Sequence, residues 1–197
     1  GTPFAIQQMG VAPDIITTAK GISAGYAPLG AAIVHDRIFK VFLEHGTFNH
    51  GFTNVGSPIA TAIGSRVLAT YRDGDLFAQA AARGQRLRAR LDELATRHPI
   101  IGEVRGRGLM LGLELVADRD TGRSFSCEAG VAELAARIAF ERGLIVYAAG
   151  EGATEIHRDQ ILLGPPFIIS EVEIDELVTL LDDTLNVLEA AVSVPAG

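Results

Sequence analysis

The chain has 197 residues, of which 48% are hydrophobic, and this is enough to bury a core as one large domain or two small ones. The formal net charge of -7, with acidic and basic residues interspersed, provides no basic stripe for nucleic acid and no polybasic membrane anchor. Cys127 is the only cysteine and the five histidines are scattered, which excludes an internal disulfide and leaves no spacing suited to a metal site.

The apolar stretches and the N-terminus carry no targeting signal. Glycine, proline or a charged residue interrupts each apolar stretch before it reaches the length of a membrane span, about 18 residues. The first ten residues lack the basic and apolar regions of a signal peptide. Together with the single cysteine, these features predict a cytoplasmic protein. The absence of an initiator methionine suggests a piece of a longer chain.

Strands and helices alternate in the first part of the predicted structure. Residues 14–18 predict a short buried strand, and residues 29–34 predict a second, with a loop rich in glycine and proline between them. A short helix over 35–46 and a polar loop over 47–56 follow. Ser57 is a favourable N-cap followed by proline, and it predicts the start of the next helix.

The remaining residues predict helices around a small sheet. An amphipathic helix from residue 76 is expected to end at His98 and Pro99. Leucines alternate with other residues over 104–116, which predicts one strand with a single buried face. Further on, the pattern predicts a helix from about residue 131, strands over 144–147 and 161–163, and a last helix that a capping box of Ser170 and Glu173 opens.

Lys20 is one of only two lysines, and it stands just after the first predicted strand, among small residues. A lysine that loses part of its hydration in such a place keeps some free amine, which can form a Schiff base. Composition alone favours an ordinary solvent-facing lysine, because lysine is mostly exposed. The surrounding motif therefore decides how Lys20 is interpreted.

Four segments of the chain, in order, resemble one enzyme family. PDIITTAKGISAGYAPLGA (13–31) resembles the cofactor-lysine segment of the class III (ω-amino acid type) aminotransferases, which are pyridoxal phosphate enzymes of fold type I. The other three segments are HGFTNVGSPIATA (50–62), VRGRGLMLGLEL (104–115) and ILLGPPFIISEVEID (161–175). The order and spacing of the four segments match the family over nearly the whole chain.

The resemblance implies an α/β fold, the pyridoxal phosphate-dependent transferase fold type I. Residues 1–75 are then expected to be the C-terminal part of the large cofactor-binding domain. Residues 76–197 are expected to be a small α+β C-terminal domain that includes the linking helix. The chain resembles only the C-terminal half of the family's proteins, and the aspartate that pairs with the cofactor ring nitrogen belongs to the other half. We therefore expect the chain to be inactive without that half.

The resemblance also assigns roles to Lys20 and Thr53. It implies that Lys20 holds pyridoxal phosphate as a Schiff base and then moves a proton at the substrate α-carbon. It implies that Thr53 binds the cofactor phosphate of the neighbouring subunit, which makes the enzyme a homodimer. Thr53 precedes a predicted helix start, where backbone N-H groups suit a phosphate. Without the family, a threonine that caps its own backbone is the simpler interpretation, and His50 is expected only to shape this loop.

Arginines near the predicted strands are candidates for binding carboxylates. Arg105 and Arg107 are interpreted mainly as structural residues, with Glu114 as a partner for one of them. Leu162 stands where family members that act on diamino or amino-acid substrates often have an arginine that binds the substrate carboxylate. A leucine cannot form that ion pair. Arg158 is the substitute we predict for binding the substrate carboxylate. An exposed arginine paired with Asp159 or Glu155 remains an equal alternative.

The sequence thus predicts an aminotransferase that uses pyridoxal phosphate to move an amino group from a primary amine or ω-amino donor to an α-keto acid such as pyruvate. No membrane or nucleic-acid partner is expected. Two alternatives remain open: an aminomutase or decarboxylase on the same fold, and a non-catalytic dimerisation fragment.

Overall fold

A computed structural model describes residues 1–149 and 158–192. The chain divides into two compact units, Thr2–Phe77 and the residues from Ala78 onwards, here called the lysine unit and the sheet unit. The division of the chain into a cofactor-binding domain (1–75) and a small domain (76–197) stays a prediction. No helix among the described residues is long and apolar enough to cross a membrane.

The lysine unit contains two short strands and two helices. Strands β1 (Ile15–Thr18) and β2 (Ala31–Val34) pair antiparallel, and helices α1 (Asp36–His45) and α2 (Pro58–Asp73) follow. Ser57 precedes α2 with proline at the first helical position, as predicted, although its side chain makes no capping hydrogen bond. The predicted strand at 14–18 exists, but its predicted burial is wrong: its side chains are half-buried or exposed in the two-stranded sheet that it forms with β2.

The sheet unit has helices α3 (Leu76–Arg97), α4 (Val131–Glu141) and α5 (Glu171–Val192), of which α3 begins two residues before the unit boundary. Its strands are β3 (Ile101–Arg107), β4 (Met110–Leu115), β5 (Tyr147–Ala149) and β6 (Asp159–Leu163), in the antiparallel order β3-β4-β6-β5. The capping box is confirmed, since the Ser170 hydroxyl accepts from the Glu173 N-H and Glu173 accepts from the Ser170 N-H.

The prediction of one strand over 104–116 is wrong, because this segment lies in a β-hairpin. Gly108 and Leu109 form the turn between β3 and β4. Gly106 and Gly108 have φ values of 118° and 55°, which glycine adopts without the steric cost that a β-carbon brings. The alternating leucines are buried, as predicted, and they begin in the turn. The prediction of a single buried face is wrong, because Gly112 and Glu114, which alternate with these leucines, are buried as well.

The hydrophobic core lies in the sheet unit. It combines leucines of α3, leucines of β4 and the inward face of α5: Leu87, Leu91, Leu94, Leu111, Leu113, Leu115, Ile174, Leu181, Leu185 and Leu188. The three- and four-residue spacing in α3 and α5 places these side chains on one face of each helix, as predicted.

His98, at the end of α3, is a buried polar residue in this unit. Its Nε2 lies 2.7 Å from Oδ1 of Asp182, and its Nδ1 lies 3.1 Å from Oε2 of Glu189, both on α5. Burial alone would raise the pKa of Asp182, but hydrogen bonds from His98 and Arg97 hold that pKa below its ordinary value. Polar contacts therefore join the end of α3 to α5.

Candidate functional site

Lys20 stands two residues after the end of β1 and opens a single turn of 3-10 helix, Lys20–Ser23. Its φ of 52° lies in the left-handed region, which costs a residue with a β-carbon on the order of 1 kcal/mol. Such a conformation persists only where the surrounding structure holds it, and it occurs often at functional sites. The prediction that Lys20 follows a strand end is confirmed.

Side-chain hydrogen bonds help to hold the turn that contains Lys20. Ser23 is buried, and its hydroxyl donates to the carbonyl oxygen of Ala27 at 2.6 Å. The Tyr71 hydroxyl, near the end of α2, donates to the carbonyl oxygen of Gly21 at 2.8 Å. Sequence reasoning missed both residues; for Tyr71 the reason is that no local pattern connects a tyrosine in a helix to a turn 50 residues earlier.

The Lys20 side chain is exposed in the chain, so the expectation of a partly dehydrated amine is wrong here. Within residues 1–149 and 158–192, its Nζ makes no hydrogen bond and no ion pair. A primary amine without a competing partner is the nucleophile that forms a Schiff base with an aldehyde such as pyridoxal phosphate. The chemistry of this position therefore fits the cofactor.

Thr53 lies in the turn that leads into α2. As far as the structure describes the chain, its hydroxyl makes no hydrogen bond, and Ser57 donates or accepts no side-chain hydrogen bond at the helix start. The threonine hydroxyl and the first N-H groups of α2 are therefore suited to an anionic phosphate. The role of Thr53 at a neighbouring subunit's cofactor stays a prediction.

His50 belongs to a row of exposed aromatic rings in the same loop. Its ring centroid lies 5.8 Å from that of Phe48 and 6.5 Å from that of Phe52, both in edge-on geometry. Phe42 of α1 continues the row at 5.5 Å from Phe48. These contacts agree with the interpretation that His50 shapes the loop.

Arg158 belongs to the sheet unit and immediately precedes β6. Its Nη1 contacts Oε1 of Glu114 on β4. The other carboxylate oxygen of Glu114 contacts Nη2 of Arg105 on β3, so the expected pairing of Glu114 with a nearby arginine is confirmed. Of the two alternative partners considered for Arg158, Glu155 lies outside the described residues, and Asp159 accepts a hydrogen bond from the Ala132 N-H. The role of Arg158 toward a substrate stays a prediction, and Lys20 and Thr53 belong to the other unit.

The chain has many relatives among characterised and uncharacterised aminotransferases. It is 36% identical over 190 residues to an uncharacterised aminotransferase, YodT, of Bacillus subtilis, covering 96% of the chain and 43% of the relative. It is 37% identical over 193 residues to putrescine--pyruvate aminotransferase of Pseudomonas aeruginosa, covering 98% of the chain and 40% of the relative. The chain thus spans about two fifths of the length of these relatives.

Solved structures of transaminases superpose on the chain. A transaminase from the marine bacterium Virgibacillus gives a TM-score of 0.90 at 32% identity, covering 96% of the chain and 42% of that structure. The PMP-bound aminotransferase from Vibrio fluvialis gives a TM-score of 0.87 at 29% identity, and the match covers 98% of the chain and 41% of that structure. The predicted fold is confirmed: this is the α/β fold type I of pyridoxal phosphate-dependent transaminases. The family model for aminotransferase class-III matches residues 1–185, and the chain belongs to this pyridoxal phosphate-dependent family.

Proposed function

We propose that the protein is an aminotransferase that moves an amino group from a primary amine or ω-amino donor to an α-keto acid such as pyruvate. The observation that carries this proposal is Lys20, held in a left-handed turn with an amine that no described residue engages. The names of the relatives support the donor class, since they include putrescine--pyruvate aminotransferase and probable gamma-aminobutyrate transaminases of rice. Putrescine and gamma-aminobutyrate both carry a terminal primary amine.

Lys20 has two tasks in this proposal. Its Nζ would hold the cofactor covalently, and the same Nζ, once free, would remove and return the proton at the amino-bearing carbon of the substrate. When bound, pyridoxal phosphate supplies an electron sink for that carbon. The Tyr71 hydroxyl holds the carbonyl of Gly21 and the Ser23 hydroxyl holds the carbonyl of Ala27, and together they would orient the turn that Lys20 opens.

Thr53 binds the cofactor phosphate in this proposal, from the neighbouring subunit of a homodimer. Its exposed hydroxyl and the start of α2 support this role. Arg158 binds the carboxylate of the keto acid, because Leu162 has no charge with which to do so. We further propose that residues 1–75 belong to the cofactor-binding domain, that residues 76–197 form the small domain, and that the enzyme is cytoplasmic.

The test uses the full-length protein, with an amine and pyruvate as substrates and alanine as the measured product. Lys20→Ala should lower the rate by at least about a thousandfold, because both the covalent link and the proton transfer are lost. Borohydride treatment of the wild type should fix pyridoxal phosphate to the peptide that contains Lys20.

Lys40→Ala is the matched control, since Lys40 is the other lysine of these 197 residues and lies exposed on α1. It should keep wild-type activity and cofactor fixation. A Lys20→Ala protein that still forms alanine at a rate near wild type would contradict the proposal. Conversion of the amine without alanine formation would favour an aminomutase or decarboxylase instead.

A further inference from the structure

The lysine turn, Lys20–Ser23, lies against one face of α2. Gly64, Val67 and Tyr71 are spaced by three and four residues, so they share that face of the helix. Gly64 and Val67 are buried, and a β-carbon on Gly64 would lie 3.6 Å from the carbonyl oxygen of Ile22 in the turn. The turn and α2 are therefore in close contact, and α2 is the surface that supports the backbone beside the lysine.

The Tyr71 side chain also connects the lysine turn to the start of α3. Its hydroxyl donates to the carbonyl oxygen of Gly21 at 2.8 Å, and its ring centroid lies 5.5 Å from that of Phe77, with the ring planes at 60°. Phe77 is the second residue of α3 and the last residue of the lysine unit. Both side chains are half-buried. The Phe77 ring thus limits how the Tyr71 ring can turn, and that ring sets where the hydroxyl points.

The lysine turn needs support from outside itself. Lys20 opens it with a φ of 52°, and Ala24 closes it with a φ of 48°, both in the left-handed region that is unfavourable for residues with a β-carbon. Such conformations persist only where the surrounding structure holds them. The lysine unit offers little packing for this, because only Ser23, Gly64 and Val67 are buried among residues 2–77. A hydrogen bond from α2 to the turn therefore matters more than it would in a packed core.

We infer that Tyr71 and Phe77 form a positioning pair for Lys20, in which Tyr71 fixes the Gly21 carbonyl and Phe77 keeps the Tyr71 hydroxyl in place. The inference rests on the proposed role of Lys20 in amino transfer. Both residues act through the backbone, and neither has to touch the substrate. A small displacement of a group that moves a proton slows the chemical step without weakening substrate binding. Loss of the pair should therefore lower the rate of the proton transfer and leave the affinity for both substrates unchanged.

The experiment uses the full-length holoenzyme with putrescine and pyruvate. Each half-reaction, followed in a single turnover by the absorbance of the bound cofactor, gives a maximal rate and a half-saturating substrate concentration. Tyr71→Phe removes the hydroxyl and keeps the ring on Phe77, so the maximal rates should fall about fivefold while the half-saturating concentrations stay within about twofold of wild type. Tyr147→Phe is the matched control, because Tyr147 lies on β5 in the sheet unit and is 70% exposed. It should leave all four values within about twofold of wild type.

A double variant tests whether Phe77 acts through Tyr71. Phe77→Leu keeps an apolar side chain but removes the ring contact, and it should lower the maximal rates about threefold. The variant that combines Tyr71→Phe with Phe77→Leu should be no slower than Tyr71→Phe alone, because the hydroxyl that Phe77 holds in place is already absent. Two unconnected structural effects would multiply, to a loss of about fifteenfold.

Amide hydrogen exchange of the cofactor-free protein gives a readout that does not depend on catalysis. The Ala24 N-H donates to the Gly21 carbonyl oxygen at 3.2 Å, so it reports on the same carbonyl that Tyr71 holds. Exchange in the peptide that spans residues 19–26 should become about fivefold faster in Tyr71→Phe, because the turn opens more often. Tyr147→Phe should leave this rate unchanged.

The outcomes separate the positioning pair from the proposed function. Unchanged exchange in the lysine turn of Tyr71→Phe, maximal rates equal to those of the wild type, or a double variant in which the two losses multiply would each overturn the inference and leave the proposed function intact. Absence of alanine formation from pyruvate in the wild type would instead remove the proposed function, and the inference with it.

Discussion

The lysine unit and the sheet unit differ sharply in what they bury. Among residues 2–77, all of which the structure describes, only Ser23, Gly64 and Val67 are buried. The hydrophobic core runs from Ala80 to Leu188 and lies wholly in the sheet unit. The unit with the candidate cofactor lysine therefore depends on local hydrogen bonds and turns, whereas the sheet unit is stabilised by its own core. Substitutions in the two units should separate function from stability.

The largest expected difference comes from one type of substitution made in each unit. Leu181 of α5 is fully buried, and Leu181→Ala should lower the free energy of unfolding by about 3 kcal/mol, through lost burial and the cavity that remains. Leu43 of α1 is 69% exposed, and Leu43→Ala should change it by no more than about 0.5 kcal/mol. Urea unfolding of the 197-residue chain measures both. Equal losses would show that the lysine unit shares the core's cooperativity.

A smaller effect is expected from two helix glycines with different neighbours. A β-carbon on Gly84 would lie 2.3 Å from the backbone carbon of Gly108, so the hairpin turn itself would have to move. A β-carbon on Gly64 would meet the end of the Leu29 side chain at 2.4 Å, and that side chain can rotate away. Gly84→Ala should therefore cost about 2 kcal/mol, and Gly64→Ala less than about 1 kcal/mol. Thermal unfolding of both variants checks this, and a larger loss at Gly64 would reverse the comparison.

The smallest expected effect is a change in the stability of the fold at acidic pH. Hydrogen bonds from the backbone and hydroxyl of Ser170 hold the pKa of Glu173 below its ordinary value of 4.5. The contribution of Glu173 to the stability of the folded state is thus present above pH 4.5, and it is lost as the pH falls through the lowered pKa. Glu173→Gln should make the free energy of unfolding depend less on pH in the acid range. Urea unfolding midpoints measured down to about pH 3 check this.

Asp14 supplies the counterpart in the lysine unit. Its hydrogen bond and ion pair with Arg37 hold its pKa below the ordinary 3.8. Because no core surrounds this pair, Asp14→Asn should leave the main unfolding transition and its acid dependence unchanged. A clear shift of that transition in Asp14→Asn would count against the independence of the two units.

Local sequence signals predicted much of the fold. The capping box at Ser170, the proline after Ser57 and the leucine spacing in α3 and α5 each depend on neighbours within one or two helical turns, and the structure confirms them. The hairpin at Gly108 was missed because alternation continues through the turn and conceals it. A glycine spaced two residues from another, as Gly106 is from Gly108, was the available signal.

The features of the candidate site also divide into those that local sequence predicts and those that it does not. Lys20 and its place after a strand end were predicted, since the motif is contiguous in sequence. The Tyr71 hydrogen bond to Gly21 and the contact between Glu114 and Arg158 were not predicted. Such pairings depend on which segments meet in space, and no local pattern reports that.

The hydrogen bond from Tyr71 to Gly21 has a consequence for how this protein tolerates change. It links the backbone beside Lys20 to a residue 50 positions later, beyond both β2 and α1. The effect of a substitution in the lysine turn should therefore depend on whether residue 71 can still donate that hydrogen bond. Such epistasis means that homologous turns cannot be exchanged between family members by matching the lysine segment alone.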